Sequence, residues 1–212
     1  MKFLFSVGHL GKDTGAQTAD VGDVYGGGLA VNQERYINLQ QFNGIAAAYL
    51  SNPVLDCFFV VAGDGYSALG LRDRLIIEPV PFGLTERATL ANDLGASLVE
   101  IHNNAAADNR ARGAEVIAWS EKSAGYAMGG AIMKRLESVG IKNRGVKTCA
   151  ELGRNLTILQ KTAKPSIITE IGFISNPSEI NDLDVDLDGF NERAGALIYR
   201  GLVDYAEQNG VI

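Results

Sequence analysis

Short apolar runs rich in β-branched and aromatic residues recur along this chain, and stretches with helical periodicity lie between them. Strand-like runs fall at 2–7 (Lys2-Phe3-Leu4-Phe5-Ser6-Val7), 57–62, 75–78, 97–101, 114–118 and 166–170. Helical periodicity covers Asn32 to Leu50, with Tyr36, Leu39, Ile45 and Tyr49 among its apolar positions, and Thr85 to Asn92, which opens on Thr-Glu-Arg. It returns over Ala124 to Val139 and Asn191 to Asn209, the latter turning Leu197, Ile198, Leu202, Val203 and Tyr205 inward. Alternation of this kind is the pattern of a sheet covered on both faces, so the fold class is α/β. With 212 residues, 46% of them hydrophobic, the chain buries a substantial core as one domain spanning 1–212.

Several functions are disfavoured by composition. A formal charge of -6 leaves no basic footprint for nucleic acid. No apolar run approaches the roughly 20 residues of a membrane span. The opening Met1 to Val7 is too short for a signal-peptide core and reads as the first strand. Cys57 and Cys149 have no CxxC spacing and read as ordinary reduced thiols, suited to a reducing cytoplasm. Two long segments, Gly11 to Ala30 and Gly63 to Gly83, do not fit regular structure, and loops of that length are usually functional or mobile. The triplet Gly26-Gly27-Gly28 is not a phosphate cradle, because no GKS or GKT follows it.

The chain has only two histidines, and both end an apolar strand. His9 follows Lys2 to Gly8; His102 closes Ser97-Leu98-Val99-Glu100-Ile101 and leads into Asn103-Asn104-Ala105. Ligands of open α/β sheets collect at the carboxyl ends of the strands, so two imidazoles placed there converge on one point, and a shared metal ion is the natural reading. Either histidine taken alone is more simply a satisfied core or surface residue. A catalytic zinc takes three protein ligands and keeps a fourth position for water. Glu34, in the first turn of the helix after the first strand, is the best third ligand; it serves equally well as a complement to the positive end of the helix dipole.

Glu170 is the remaining acidic candidate, in Ser166-Ile167-Ile168-Thr169-Glu170-Ile171-Gly172. Burial at the end of an apolar strand raises a carboxyl group towards the range of a general base. The alternative is a carboxylate that caps the next turn or pairs with an arginine. With both histidines committed to a metal, neither is left to activate a serine or cysteine nucleophile.

Gly8-His9 with Asp13 and Gly15-Ala16, Glu34-Arg35, Arg87 to Asn92, Ile101 to Ala105, Gly113-Ala114-Glu115-Val116 and Glu170 to Asn176 together, in this order, resemble the zinc-dependent N-acetylmuramoyl-L-alanine amidases of the amidase-3 type over nearly the whole chain. Cell-wall amidases of bacteria and endolysins of phages share that pattern. The resemblance implies a twisted, mostly parallel sheet of about six strands flanked by helices. It also implies zinc held by His9, Glu34 and His102, and Glu170 as the catalytic carboxylate. The substrate it implies is peptidoglycan, cut between the lactyl group of N-acetylmuramic acid and L-alanine. Asn104 and Asn176 match motif positions near the site, where a turn-forming asparagine is at least as good a reading as substrate contact.

Leu10 departs from the family pattern, standing where a second glycine commonly follows the histidine. Arg72, Asp73 and Arg74 read as a solvated charged loop, with contact to the carboxylates of the substrate peptide as the alternative. No separate helix is expected to plug the site. The expectations are a monomer without nucleic-acid or membrane partner, made in the cytoplasm without a signal peptide. It acts on the wall after release or export, as a phage endolysin does. A zinc peptidase acting within wall peptides and a catalytically silent wall-binding module are the alternatives; the second predicts a missing ligand or base, whereas all four positions are filled.

Overall fold

A computed structural model describes residues 1–8, 34–62, 71–78, 83–176, 178–179 and 189–212. His9, the loop 11–30 and most of 63–83 lie outside these residues, and so does most of the segment between Asn176 and Gly189.

Seven strands form one sheet: β1 (Lys2–Val7), β2 (Asp56–Ala62), β3 (Leu75–Glu78), β4 (Ser97–Asn104), β5 (Ala114–Ala118), β6 (Asn143–Thr148) and β7 (Ile167–Phe173). Their spatial order is β3-β2-β1-β4-β7-β5-β6. Neighbours are parallel except at β5 and β7, which pair antiparallel. Among the described residues the α-helices that accompany them are α1 (Glu34–Ser51), α2 (Leu84–Leu94), α3 (Ala124–Glu137), the short α4 (Thr157–Lys161) and α5 (Phe190–Gln208). The α/β class expected from the alternation is present, and so is the mostly parallel sheet that the resemblance implied.

β6 raises the expected strand count from about six to seven. Its sequence, Asn143-Arg144-Gly145-Val146-Lys147-Thr148, is polar at four of six positions and partly exposed at the sheet edge, so it lacks the apolar run that marks its neighbours. The two strands that carry His102 and Glu170 are also longer than expected. β4 continues to Asn104 and β7 to Phe173, so His102 and Glu170 sit inside paired strands rather than at their exits.

The sheet is covered on both faces. Helices α1, α3 and α5 pack one face, over Phe3, Phe5, Phe59, Val99, Ile101 and Val116. Helices α2 and α4 pack the other, over Leu4, Val60, Leu98, Ile117 and Ile168. β5 is buried at every position and apolar at all but Glu115. Along α1, Ile37, Phe42, Ile45 and Tyr49 recur at helical spacing and are buried. Two polar side chains, Asn38 and Gln41, are buried in the same stripe. They mark where α1 meets polar rather than apolar surface.

Candidate active site

Strand register puts the chemistry in one row. His102 of β4 is the Cα partner of Glu170 of β7, and Glu170 is in turn the partner of Glu115 of β5. Residues directly paired across a sheet project from the same face. An imidazole and two carboxylates therefore stand side by side on three adjacent strands. On the β1 side, the backbone N–H of Gly8 donates to Ile101 O at 2.9 Å. The His102 ring lies directly over Gly8: a Cβ built there would come within 2.3 Å of Cε1 and 2.4 Å of Nε2. Only glycine leaves room for the imidazole to lie flat against β1.

Glu34 reaches this row from the first turn of α1. Its Oε1 accepts from the backbone N–H of Asn103 at 3.1 Å and faces His102 Nδ1 at 3.0 Å, and the residue is only 3% exposed. Glu34 is thus buried against β4, beyond what a complement to the helix dipole requires. A polar lattice fixes the position of α1. Asn103 Nδ2 donates to Asn38 Oδ1 at 2.7 Å, Gln41 Nε2 donates to Asn103 Oδ1 at 3.1 Å, and Asn38 Nδ2 donates to Gly8 O at 3.4 Å. These bonds tie the helix to the ends of β1 and β4, the two strands that lead to the histidines.

The carboxylates are held differently. Glu115 accepts from Asn104 Nδ2 at 2.8 Å and from Arg144 Nε at 2.8 Å, and the Arg144 guanidinium lies 4.7 Å from the centre of the Phe173 ring. Its charge is thus compensated. Glu170 is not supplied in this way: its Oε2 is sealed from solvent and has no hydrogen-bond partner among the described residues. Burial pushes the Glu170 carboxyl up to about 7; the charge of His102 works against that shift, and the nearby Glu34 and Glu115 carboxylates add to it. For His102 burial works downwards, but hydrogen bonding to Glu100 and Glu34 and the charge of Glu170 win and carry the imidazole up to about 10.

Glu34, His102 and Glu170, expected from the sequence to act together, are thus brought together. His9 lies outside the described residues, and among those residues no group of three His, Cys, Asp or Glu side chains is gathered to hold a metal ion. Asn104 and Asn176 have structural roles. Asn104 Oδ1 accepts from the N–H of Ala105, and Asn176 Nδ2 donates to Ala111 O while its Oδ1 accepts from Ser178 N–H. Arg74 pairs with Asp56 and lies 4.9 Å from the centre of the Phe58 ring, while Asp73 is exposed. Cys57 and Cys149 are free and buried.

Sequence reasoning passed over Glu100 and Arg144. Glu100 carried a usable signal: a charged residue inside an apolar strand, two positions before His102, must share its face.

The family model described as N-acetylmuramoyl-L-alanine amidase matches residues 4–203. The chain is 34% identical over 106 residues to an endolysin of Bacillus phage SPP1, covering 46% of this chain and 36% of that protein. It is 28% identical over 133 residues to the germination-specific N-acetylmuramoyl-L-alanine amidase of Bacillus subtilis (strain 168), covering 60% of this chain and 52% of that one. The match therefore spans about half the length of these curated relatives or less. The crystal structure of an N-acetylmuramoyl-L-alanine amidase from Clostridium difficile 630 superposes with a TM-score of 0.73 at 22% identity, covering 99% of this chain and 98% of that one, which shows the shared fold. With the matched stretch running from the first strand into the last helix, the chain belongs to the N-acetylmuramoyl-L-alanine amidase family.

Proposed function

We propose that this protein hydrolyses the amide bond between the lactyl group of N-acetylmuramic acid and the L-alanine of the peptidoglycan stem peptide, with zinc held by His9, Glu34 and His102 and with Glu170 as the proton-transferring carboxylate. The observation that carries the reading is the buried Oε2 of Glu170, without a hydrogen-bond partner among the described residues, beside His102 on the same row of the sheet. A buried carboxylate oxygen with nothing to bond is costly unless it serves a reaction.

The residues fit the metal. Glu34 and His102 are hard and borderline donors of the kinds zinc takes, they face one another at 3.0 Å, and the Glu170 carboxyl stands beside the imidazole on the next strand. Bound zinc supplies a Lewis acid that acidifies water and draws charge from the scissile carbonyl.

This chain's own residues do the rest. Near neutrality Glu170 exchanges a proton readily, since burial places its carboxyl at about 7. It takes the proton of the attacking water as the carbon–oxygen bond forms, and returns it to the alanine nitrogen as the carbon–nitrogen bond breaks. The products are a muramoyl carboxylate and a peptide with a free L-alanine amino terminus. Glu115, bonded to Arg144 and Asn104, stands beside Glu170 on the neighbouring strand and closes that side of the row. The Gly8 shelf and the Asn38–Gln41–Asn103 lattice keep the imidazole and α1 in register.

Similarity to a phage endolysin supports a lytic role, in which the protein reaches the cell wall after release or export. No helix among the described residues is long and apolar enough to cross a membrane. The test is mass spectrometry of purified peptidoglycan digested by the protein, beside a chelated control. Stem peptides with a new L-alanine amino terminus, lost with chelator and restored by zinc, are the expected result. Cuts within the stem peptide would make it a peptidase, and no products from several wall types would leave a binding module.

A further inference from the structure

Behind His102 lies a buried ion pair that no step above uses. Glu100 is fully buried, and its Oε1 meets Arg87 Nη1 in a salt bridge and lies 3.6 Å from His102 Nε2. Arg87 enters from α2, itself only 6% exposed, and the same Nη1 is 3.2 Å from Val7 O and 3.3 Å from Ser6 Oγ. One guanidinium thus holds the end of β1, two residues before His9, and the carboxylate two residues before His102. The next residue inward on that face of β4 is Leu98, fully buried in the apolar core.

A buried ion pair is a poor stabiliser. Taking both charges out of water costs as much as their attraction returns, and apolar residues of similar volume do as well or better. Here even the pairing is incomplete: Arg87 Nε and Glu100 Oε2 have no partner among the described residues. Fold stability therefore does not explain a carboxylate in this position. The imidazole does. Glu34 stands at Nδ1 and Glu100 at Nε2, on opposite sides of one ring.

Metal-binding histidines donate the N–H of their other ring nitrogen to a carboxylate or carbonyl, which fixes the tautomer and the ring plane. We infer that Glu100, anchored by Arg87, is the positioning carboxylate that holds the His102 proton on Nε2 and so turns Nδ1 towards the metal on the Glu34 side. The inference rests on the zinc reading above and adds two residues to it, neither of which touches the metal. Arg87 has a second effect, because its bond to Val7 O couples the β1 end that leads to His9 to the same anchor.

The experiment uses the full chain, freed of metal and titrated with zinc against a chelating dye. The variants are Glu100→Gln and the double variant Arg87→Met/Glu100→Leu, which removes both charges while keeping the volume and so spares the fold an unpaired ion. Zinc affinity falls by roughly 10- to 100-fold in the double variant, the usual cost of losing such a partner. Glu100→Gln, which retains an acceptor oxygen, loses less. In parallel, nitrogen-15 NMR of the zinc-loaded parent, simple with only two histidines in the chain, shows the His102 hydrogen on Nε2. A hydrogen on Nδ1, or a folded double variant with parental zinc affinity, overturns the inference and leaves the zinc reading standing. If the double variant does not fold, Glu100→Gln decides in its place, with parental affinity again overturning. A parent that binds no zinc removes the zinc reading and this inference together.

Discussion

Gly195 sits where α5 crosses α1, and its replacement by alanine tests how closely the two backbones meet. A Cβ at Gly195 would lie 1.8 Å from Gln41 O, 2.7 Å from the Gln41 carbonyl carbon and 3.0 Å from its Cα. The contact is reciprocal, since a Cβ at Gly44 would lie 1.8 Å from Glu192 O. The obstacle is a backbone carbonyl, which has no rotamer to move into, so the helices must part by roughly 1 Å or more to accept a methyl group. Alanine gains about 1 kcal/mol over glycine in a helix interior. Against it, overpacking costs about 1–3 kcal/mol and more where backbone has to shift. The expected net effect is a loss of about 1–3 kcal/mol, or roughly 2–4 °C in Tm for each kcal/mol in a domain of this size.

Gly130 is the control. It lies inside α3 with nothing within 4 Å of a built Cβ, so Gly130→Ala stabilises by about 0.5–1 kcal/mol. Urea unfolding followed by circular dichroism separates the two, because the same chemical change carries opposite signs. Gly195→Ala as stable as Gly130→Ala would falsify the close crossing. A functional consequence comes with it: α1 carries Glu34 two turns before Gln41, and a displacement of about 1 Å at a catalytic group can cost on the order of a hundredfold in rate. Gly195→Ala therefore loses turnover under conditions where it is fully folded, whereas Gly130→Ala does not.

Glu170→Gln retains zinc, measured by metal content, and loses nearly all turnover on peptidoglycan; a variant as active as the parent removes Glu170 from the reaction. In kcat/KM the acid limb rises through a midpoint at or below about 7, since the base acts only when deprotonated and bound zinc favours its charged form. In the metal-free protein the same group contributes stability in the opposite sense. Its folded value is raised from 4.5 to about 7, so that contribution is complete below pH 4.5 and is lost as pH rises through 7, which unfolding at fixed urea across that window detects. Arg144→Met leaves the buried Glu115 carboxylate without its cation, costing about 1–3 kcal/mol, and moves the acid limb to higher pH because an uncompensated charge then stands beside Glu170. An unchanged pH profile in that variant means that Arg144 does not govern the charge next to the base.

What the sequence by itself determined was the local part. Apolar runs and helical periodicity are properties of consecutive residues, and they suffice for the α/β class and for most strand positions, because strands buried on both faces are enriched in apolar residues. They failed for β6, whose edge position exempts it from that demand. Residue type and order along the chain also singled out His9, Glu34, His102 and Glu170 as candidates, of which the last three lie together among the described residues.

Tertiary structure decided how those residues meet. The row of His102, Glu170 and Glu115 exists because β7 is inserted between β4 and β5, and no spacing along the chain encodes which strands become neighbours. Glu34 resolves into a residue aimed at His102 only because buried Asn38, Gln41 and Asn103 lock α1 against β4. The raised carboxyl of Glu170 likewise depends on burial and on charges contributed by other strands. Each of these is a distance between residues far apart in sequence, set by strand order and helix packing, and a linear pattern carries no record of such distances.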